Sequence, residues 1–318
     1  MSRSALMVTS FVTLAIIAVA ATEVRAQDSA APFTVAETGK GYDVLDHAVK
    51  AIGNRQGTIV IRPGVYQQCA VQTEGVIAYR AAVAGQVIFD RATCEGKAAL
   101  VLRGQGASID GIIFQGMAVF DANGSGIRLE KGNLAVTRSI FRDSEQGILT
   151  AEDTNSNITI DQSTFSGLGR CDRGLSCAHS IYIGNYGSLT VTNSRFERGN
   201  GGHYVKARTG RVDIRSNAFD DSRGKETNYM IDLSEGSSGV ITGNTFVQGA
   251  SKENYSAFIT VAPEAKKHSS SALNISNNDA SIAPGVARET TFVADWSGER
   301  INLGTNRLGR GLKPYERR

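Results

Sequence analysis

Three segments of the chain set charged and hydroxyl-bearing side chains in one register. They are His179–Phe196 (HSIYIGNYGSLTVTNSRF), Gly202–Phe219 (GHYVKARTGRVDIRSNAF) and Tyr229–Phe246 (YMIDLSEGSSGVITGNTF). Aligned on their apolar residues, they match Ile181 and Ile183 with Val205 and Ala207, and these with Ile231 and Leu233. Between the members of each pair fall Tyr182, Lys206 and Asp232. Side chains alternate across a strand, so the apolar pairs face one way and this trio the other. Arg208 lies two residues beyond Lys206 and Tyr204 two before it, which puts both on the Lys206 face. His203 stands at the strand entrance, and His179 holds the equivalent place one unit earlier. Tyr229 opens the third segment, and Arg128 falls in the Tyr182 column two units upstream. Slipping the second strand by one residue would bury Tyr204 and Lys206 instead. The cost of an unpaired buried lysine decides against that register.

These residue types suit the carboxylates of an acidic polysaccharide. β-Elimination on a uronate needs a cation on the carboxylate, a base for the C5 proton and a donor for the departing oxygen. Arg208 fits the first role, being planar, bidentate and permanently charged. Lys206 is the candidate base, provided Arg208 and partial desolvation lower its pKa. Tyr182, Tyr204 or His203 could protonate the leaving group. Asp232 would orient Lys206 or hold a cation such as Ca²⁺. Tyr204, Asp232, His179, Arg128 and Tyr229 are the expected substrate contacts, and no other cofactor is expected. Three other readings use the same face. A carbohydrate-binding or structural protein needs only a groove, an epimerase shares the lyase chemistry, and Lys206 with Asp232 could be a solvated charge ladder. A glycoside hydrolase would need two carboxylates roughly 5–9.5 Å apart. Asp232 and Glu235 are the nearest such pair, with Glu235 in a corner.

The elements that carry these residues repeat. Each segment holds an alternating apolar run, a Gly-rich corner, a second alternating run and a small polar residue two places before a Phe. The unit recurs at Phe114, Phe141 and Phe165, and again with Asp279 and Leu308 in the Phe place. Ser139, Ser163, Ser194, Asn217, Asn244, Asn277 and Asn306 form the polar column. Asn tolerates left-handed backbone, and Ser and Asn both bond nearby backbone groups, so the column suits a corner. Repetition on this scale means stacked units that bury a core only against their neighbours. The expected fold is all-β: a parallel β-helix with the Phe column and the Ile/Val/Leu positions stacked inside. An antiparallel sandwich also has regular short strands, but it leaves the polar column unexplained.

Upstream, Val44, Leu45, Ala48, Val49 and Ile52 recur at helical spacing within Tyr42–Ile52, which predicts a short helix capping the open end of the coil. GTIVIRPGVYQQ (Gly57–Gln68) then reads as strand, Pro-Gly turn and strand. Helix, GTIVIRPGVY and repeated S/N-x-F coils together resemble the secreted pectate-lyase-like β-helix superfamily, from about residue 40 to residue 310. The HSIYIG, GHYVKAR and MIDLSEG segments resemble a bacterial family named for its β-helix repeats. The resemblance implies a right-handed coil. It also implies an acidic-glycan ligand, since Lys/Arg pairs on the outer sheet occur in such lyases. The superfamily's activities range from lyases, hydrolases and epimerases to adhesins, so it does not single one out. Its hydrolase branch uses Asp-Asp, Gly-His-Gly and Arg-x-Lys motifs. Here Asp220-Asp221 and Gly202-His203 are fragments of that set, which counts against hydrolysis.

The remaining features concern the chain's surroundings. Arg3, the apolar run Ala5–Ala21 and Val24-Arg25-Ala26 form a secretory signal pattern. The expected divisions are a signal peptide at 1–26, an arm and capping helix at 27–56, the β-helix at 57–309 and a basic, frayed tail at 310–318. A secreted or periplasmic monomer follows, with no membrane contact after cleavage. The formal charge of +3 is too small to argue for a nucleic-acid partner. Four cysteines in an exported chain suggest the disulfides Cys69–Cys94 and Cys171–Cys177. Their spacing does not suit a metal site. Polar insertions are expected at Ala151–Asn157, Gly167–Ala178 and Asn254–Ser271, and insertions on a solenoid often line its binding face.

Overall fold

The computed structural model describes residues 31–172 and 174–318. The expected signal segment lies outside the described residues. Among the described residues, strands form three sheets of twelve, ten and ten. From Gln56 onward the chain visits the first, second and third sheets in turn and then repeats, so every sheet is parallel from there on. This is the expected parallel β-helix. Two short strands precede the coil. Phe33–Val35 pairs antiparallel with both Lys40–Tyr42 and Gln56–Ile61.

Helix α1 (Leu45–Ile52) covers the first turn with Leu45, Ala48, Val49 and Ile52 buried. Ile52 lies so close to Gly57 that a Cβ there would meet it at 2.9 Å, so glycine is needed for this contact. At the other end the tail does not fray. Leu312–Arg317 forms a strand on Thr290–Asp295, and Leu312 and Tyr315 pack against the core. Pro314 gives this edge strand a position without an N–H, which discourages another strand from pairing there.

The core is a stack of rings. Phe89, Phe114, Phe141, Phe165, Phe196, Phe219 and Phe246 lie one above another, with centroids 4.8–5.7 Å apart. The closest of these spacings equals the distance between strands in a sheet. Beside the stack, each serine or asparagine of the polar column accepts the backbone N–H of the column residue one coil earlier. The bonds run Ser139 to Ser163, Ser163 to Ser194, Ser194 to Asn217, Asn217 to Asn244, Asn244 to Asn278 and Asn278 to Asn306, at 2.9–3.2 Å. Each asparagine Nδ2 also donates to a backbone carbonyl, for example Asn244 to Ile214 at 2.9 Å. Buried corner amides, which no sheet ladder reaches, are satisfied in this way.

Two details differ from the expectation. The column member is Asn278 rather than Asn277, and Ala280 rather than Asp279 occupies the Phe place. The left-handed backbone falls on the residue before each column member except Asn306: Arg138, Gln162, Asn193, Ser216, Gly243 and Asn277. That residue makes the bend, and the column side chain ties it down. Both disulfides form as expected, Cys69–Cys94 and Cys171–Cys177.

Candidate functional site

The outer face of the third sheet carries a column that reads Arg128, Leu149, Tyr182, Lys206, Asp232 and Thr260. Val205 and Ala207 point inward and are fully buried, so Lys206 projects outward as strand alternation requires. It is nevertheless only 6% exposed, which corrects the expectation of a solvent-facing lysine. The cover is the loop of residues 262–272, between strands Ala257–Val261 and Leu273–Ser276. It is tied to the coil beneath by Ala262 N–H to Leu233 O (2.8 Å), Glu264 N–H to Ser234 O (3.0 Å) and His268 N–H to Glu235 O (3.0 Å). Two glycines let it lie flat. A Cβ on Gly210 would meet His268 Nδ1 at 2.8 Å, and one on Gly236 would meet the His268 carbonyl at 2.3 Å.

Beneath the loop, three cations meet three carboxylates. Lys206 Nζ donates to Asp232 Oδ2 at 3.0 Å and to Glu264 Oε1. Arg208 donates to Tyr182 Oη (2.8 Å), to Glu235 Oε1 (2.6 Å) and to Glu264 Oε2. Lys267 also reaches Glu235 Oε1, at 2.9 Å. Asp232 accepts further bonds from Ser234 Oγ (2.7 Å) and Thr260 Oγ1 (2.8 Å). The Lys206 and Arg208 head groups stand 5.9 and 5.7 Å from the Tyr182 ring centre, and His268 Nε2 is 3.1 Å from the Arg208 carbonyl. Glu264, Lys267, His268, Ser234 and Thr260 are site residues that sequence register did not bring in. The one signal for the first three was the polar insertion that carries them.

The electrostatics follow from this pairing. Burial alone would lower the Lys206 pKa, but Asp232 and Glu264 outweigh it and the net shift is upward. Burial pushes Asp232 up; in the acid range where the carboxyl titrates, a protonated His203, together with Lys206, reverses that to a net fall. Burial likewise acts against the Arg208 cation, and Glu235, Tyr182 and Glu264 more than restore it. Lys206 is therefore an ammonium and Asp232 a carboxylate at neutral pH. Both Asp232 oxygens are taken by protein donors. No group of three or more His, Cys, Asp or Glu able to hold a metal occurs among the described residues, so the Ca²⁺ expectation gains no ligand set.

At the strand entrance His179, His203 and Tyr229 stack in successive coils, with ring centres 4.9 and 5.4 Å apart. His179 Nδ1 accepts the His203 backbone N–H at 2.9 Å, so its proton sits on Nε2. His203 Nε2 lies 3.5 Å from Asp232 Oδ2, while its buried Nδ1 has no hydrogen-bond partner among the described residues. Burial lowers the His203 pKa to about 4, against the pull of Asp232, and holds that of His179 well below its ordinary value. Both rings are neutral at pH 7. Asn254 Nδ2 donates to Tyr229 Oη at 2.7 Å.

Tyr204 and Arg128 stand apart from this cluster. The strand begins at Val205, so Tyr204 lies in the corner before alternation sets in, and it turns inward. It is fully buried with its ring edge on Phe196. Its hydroxyl donates to Asp221 Oδ1 at 2.7 Å and accepts from Gly199 N–H at 3.1 Å. The expectation that Tyr204 contacts substrate is therefore corrected. Asp221, one of the fragmentary acidic pair, sits in the same buried knot with Lys252 at 3.2 Å and Thr227 at 2.8 Å. Arg128 is in the expected column, but Leu149 separates it from Tyr182, and its ionic neighbour is Glu130 at 3.7 Å.

A family model described as "Right handed beta helix region" matches residues 98–291. A search of curated proteins returns no match. Among solved structures, a chain of Geobacillus virus E2 described as ORF18 is similar at 14% identity and a TM-score of 0.47. That likeness covers 85% of this chain and 55% of the viral one, so this chain spans about half the viral protein's length.

Proposed function

This chain belongs to the right-handed β-helix family, and we propose that it binds an acidic polysaccharide along the outer face of its third sheet, with Lys206 and Arg208 gripping a uronate carboxylate. One observation carries the reading: the two cations stand side by side on one face and already share a carboxylate, that of Glu264. Arg208 reaches it through Nη2 alone, its Nε and Nη1 being held by Tyr182 and Glu235, so a charge-assisted hydrogen bond from a permanently charged guanidinium is what it offers a carboxylate. The fold is compatible with polysaccharide ligands but does not choose among activities. Export belongs to the same proposal. All four cysteines are paired, as suits an oxidising compartment.

We place binding ahead of β-elimination for a physical reason. A general base must be deprotonated near working pH, and the Lys206 pKa is displaced upward. The uronate lyase, with Lys206 as base, Arg208 on the carboxylate and Tyr182 or His203 as proton donor, is thus the second reading. Titration calorimetry with polygalacturonate, alginate and glucuronan tests the first. Arg208→Gln should weaken binding at least about tenfold, the range for a lost charge-assisted hydrogen bond. Absorbance near 230 nm, followed in the same mixtures, would rise if the protein is a lyase. No binding to any of the three polymers sinks the proposal.

A further inference from the structure

Glu264 has a double role in the cluster. Its two carboxylate oxygens divide between Lys206 and Arg208, one on each cation. Asp232 and Glu235 belong to the coil itself, lie 2–3% exposed and hold the other sides of the same cations. Glu264 instead comes from the overlying loop, and its side chain is 41% exposed. The loop backbone around it is fixed by bonds from Glu264 N–H and Ala265 N–H to Ser234 O, at 3.0 and 3.1 Å. The carboxylate can therefore swing out by side-chain rotation alone, with the loop left in place.

Removing Asp232 from the cluster would strand a buried lysine. Removing the Glu264 carboxylate would open a solvent-facing gap lined by one ammonium and one guanidinium, each retaining a carboxylate from the coil. Such a gap has the charge and donor geometry for one carboxylate and for little else. Resting on the binding reading above, we infer that Glu264 is an internal stand-in for the ligand's carboxylate, and that a uronate carboxylate binds by displacing it from Lys206 and Arg208. The loop thereby sets specificity. A neutral sugar cannot replace the ion pairs that it would break, so only anionic glycans enter.

The test compares Glu264→Gln and Glu264→Ala with the native chain, titrating each with polygalacturonate, alginate, glucuronan and a neutral glucan. The native chain pays for breaking the internal contacts before it binds. The variants should therefore bind the acidic polymers about ten- to a hundredfold more tightly, the equivalent of one charge-assisted pair. The neutral glucan should stay unbound by all three. Circular dichroism and thermal melting establish that the variants are folded, which the exposed position of the side chain favours. Unchanged affinity in both variants, with Arg208→Gln still losing it, would overturn the displacement and leave the binding reading standing. Weaker binding in the variants would assign Glu264 to the ligand contacts and also overturn it. If neither native chain nor variants bind any acidic polymer, both readings fall together, because a vacated dicationic gap that ignores carboxylates was never holding a ligand's place.

Discussion

Replacing Lys206 by Met removes the charge and keeps most of the stem. Were the side chain exposed, the change would cost under about 0.5 kcal/mol. The structure gives a different magnitude. Lys206 Nζ is 3.0 Å from an Asp232 carboxylate whose side chain is 2% exposed, and breaking one partner out of a buried pair costs about 3–5 kcal/mol. Ser234 and Thr260 still donate to Asp232, which favours the lower half of that range. The loss should also depend on pH. Without Lys206, and with His203 neutral across pH 5–8, only hydroxyl donors oppose the burial of the Asp232 charge, so the folded chain favours the protonated acid and the stability deficit is smallest in acid and grows as pH rises. Urea unfolding at pH 5 and pH 8 measures this, with an unchanged slope showing that the same surface is exposed. Adding Asp232→Asn should recover about 2 kcal/mol or more at pH 8, since the stranded charge is gone. A loss below about 1 kcal/mol at pH 8 that adding Asp232→Asn leaves unrelieved would mean the pair is not desolvated, and the reasoning fails.

Other measurements probe neighbouring parts of the molecule. His203 has a folded pKa of about 4 against an ordinary 6.5, so below pH 6.5 the unfolded chain takes up a proton that the folded one refuses. Stability from this residue is complete above pH 6.5 and falls by about 3 kcal/mol on the way to pH 4; His203→Phe should flatten that part of the profile, and an unchanged slope would show the ring is not desolvated. Asn244→Ala deprives the Asn217 N–H and the Ile214 carbonyl of their side-chain partner and should cost about 2–5 kcal/mol. Asn244→Ser, which copies the upstream coils, should cost clearly less by thermal melting, and equal losses would refute the ladder's role. Cys69→Ser with Cys94→Ser opens a loop of sequence separation 25 and should cost about 3 kcal/mol. The same double change at Cys171 and Cys177, separated by 6, should cost about 1 kcal/mol less.

The shared outer face of Tyr182, Lys206, Arg208 and Asp232 was legible in the chain because alternation is a property of single strands. The stacked Phe residues and the serine and asparagine column were legible because each coil repeats its neighbour's register. Local rules failed where alternation stops. Tyr204 has the parity of Lys206, yet it precedes the first strand residue, and the corner turns it into the core. Asn277 takes the left-handed bend and hands its place in the column to Asn278. The burial of Lys206 was beyond any local pattern. Its cover arrives from Glu264, 58 residues later in the chain, on a loop whose path is fixed by bonds to Leu233, Ser234 and Glu235 and by the missing side chains of Gly210 and Gly236. Strand parity determined which way Lys206 points. Only the stacking of later coils decided that water would be excluded from it, because desolvation depends on everything packed around a group and not on its own segment.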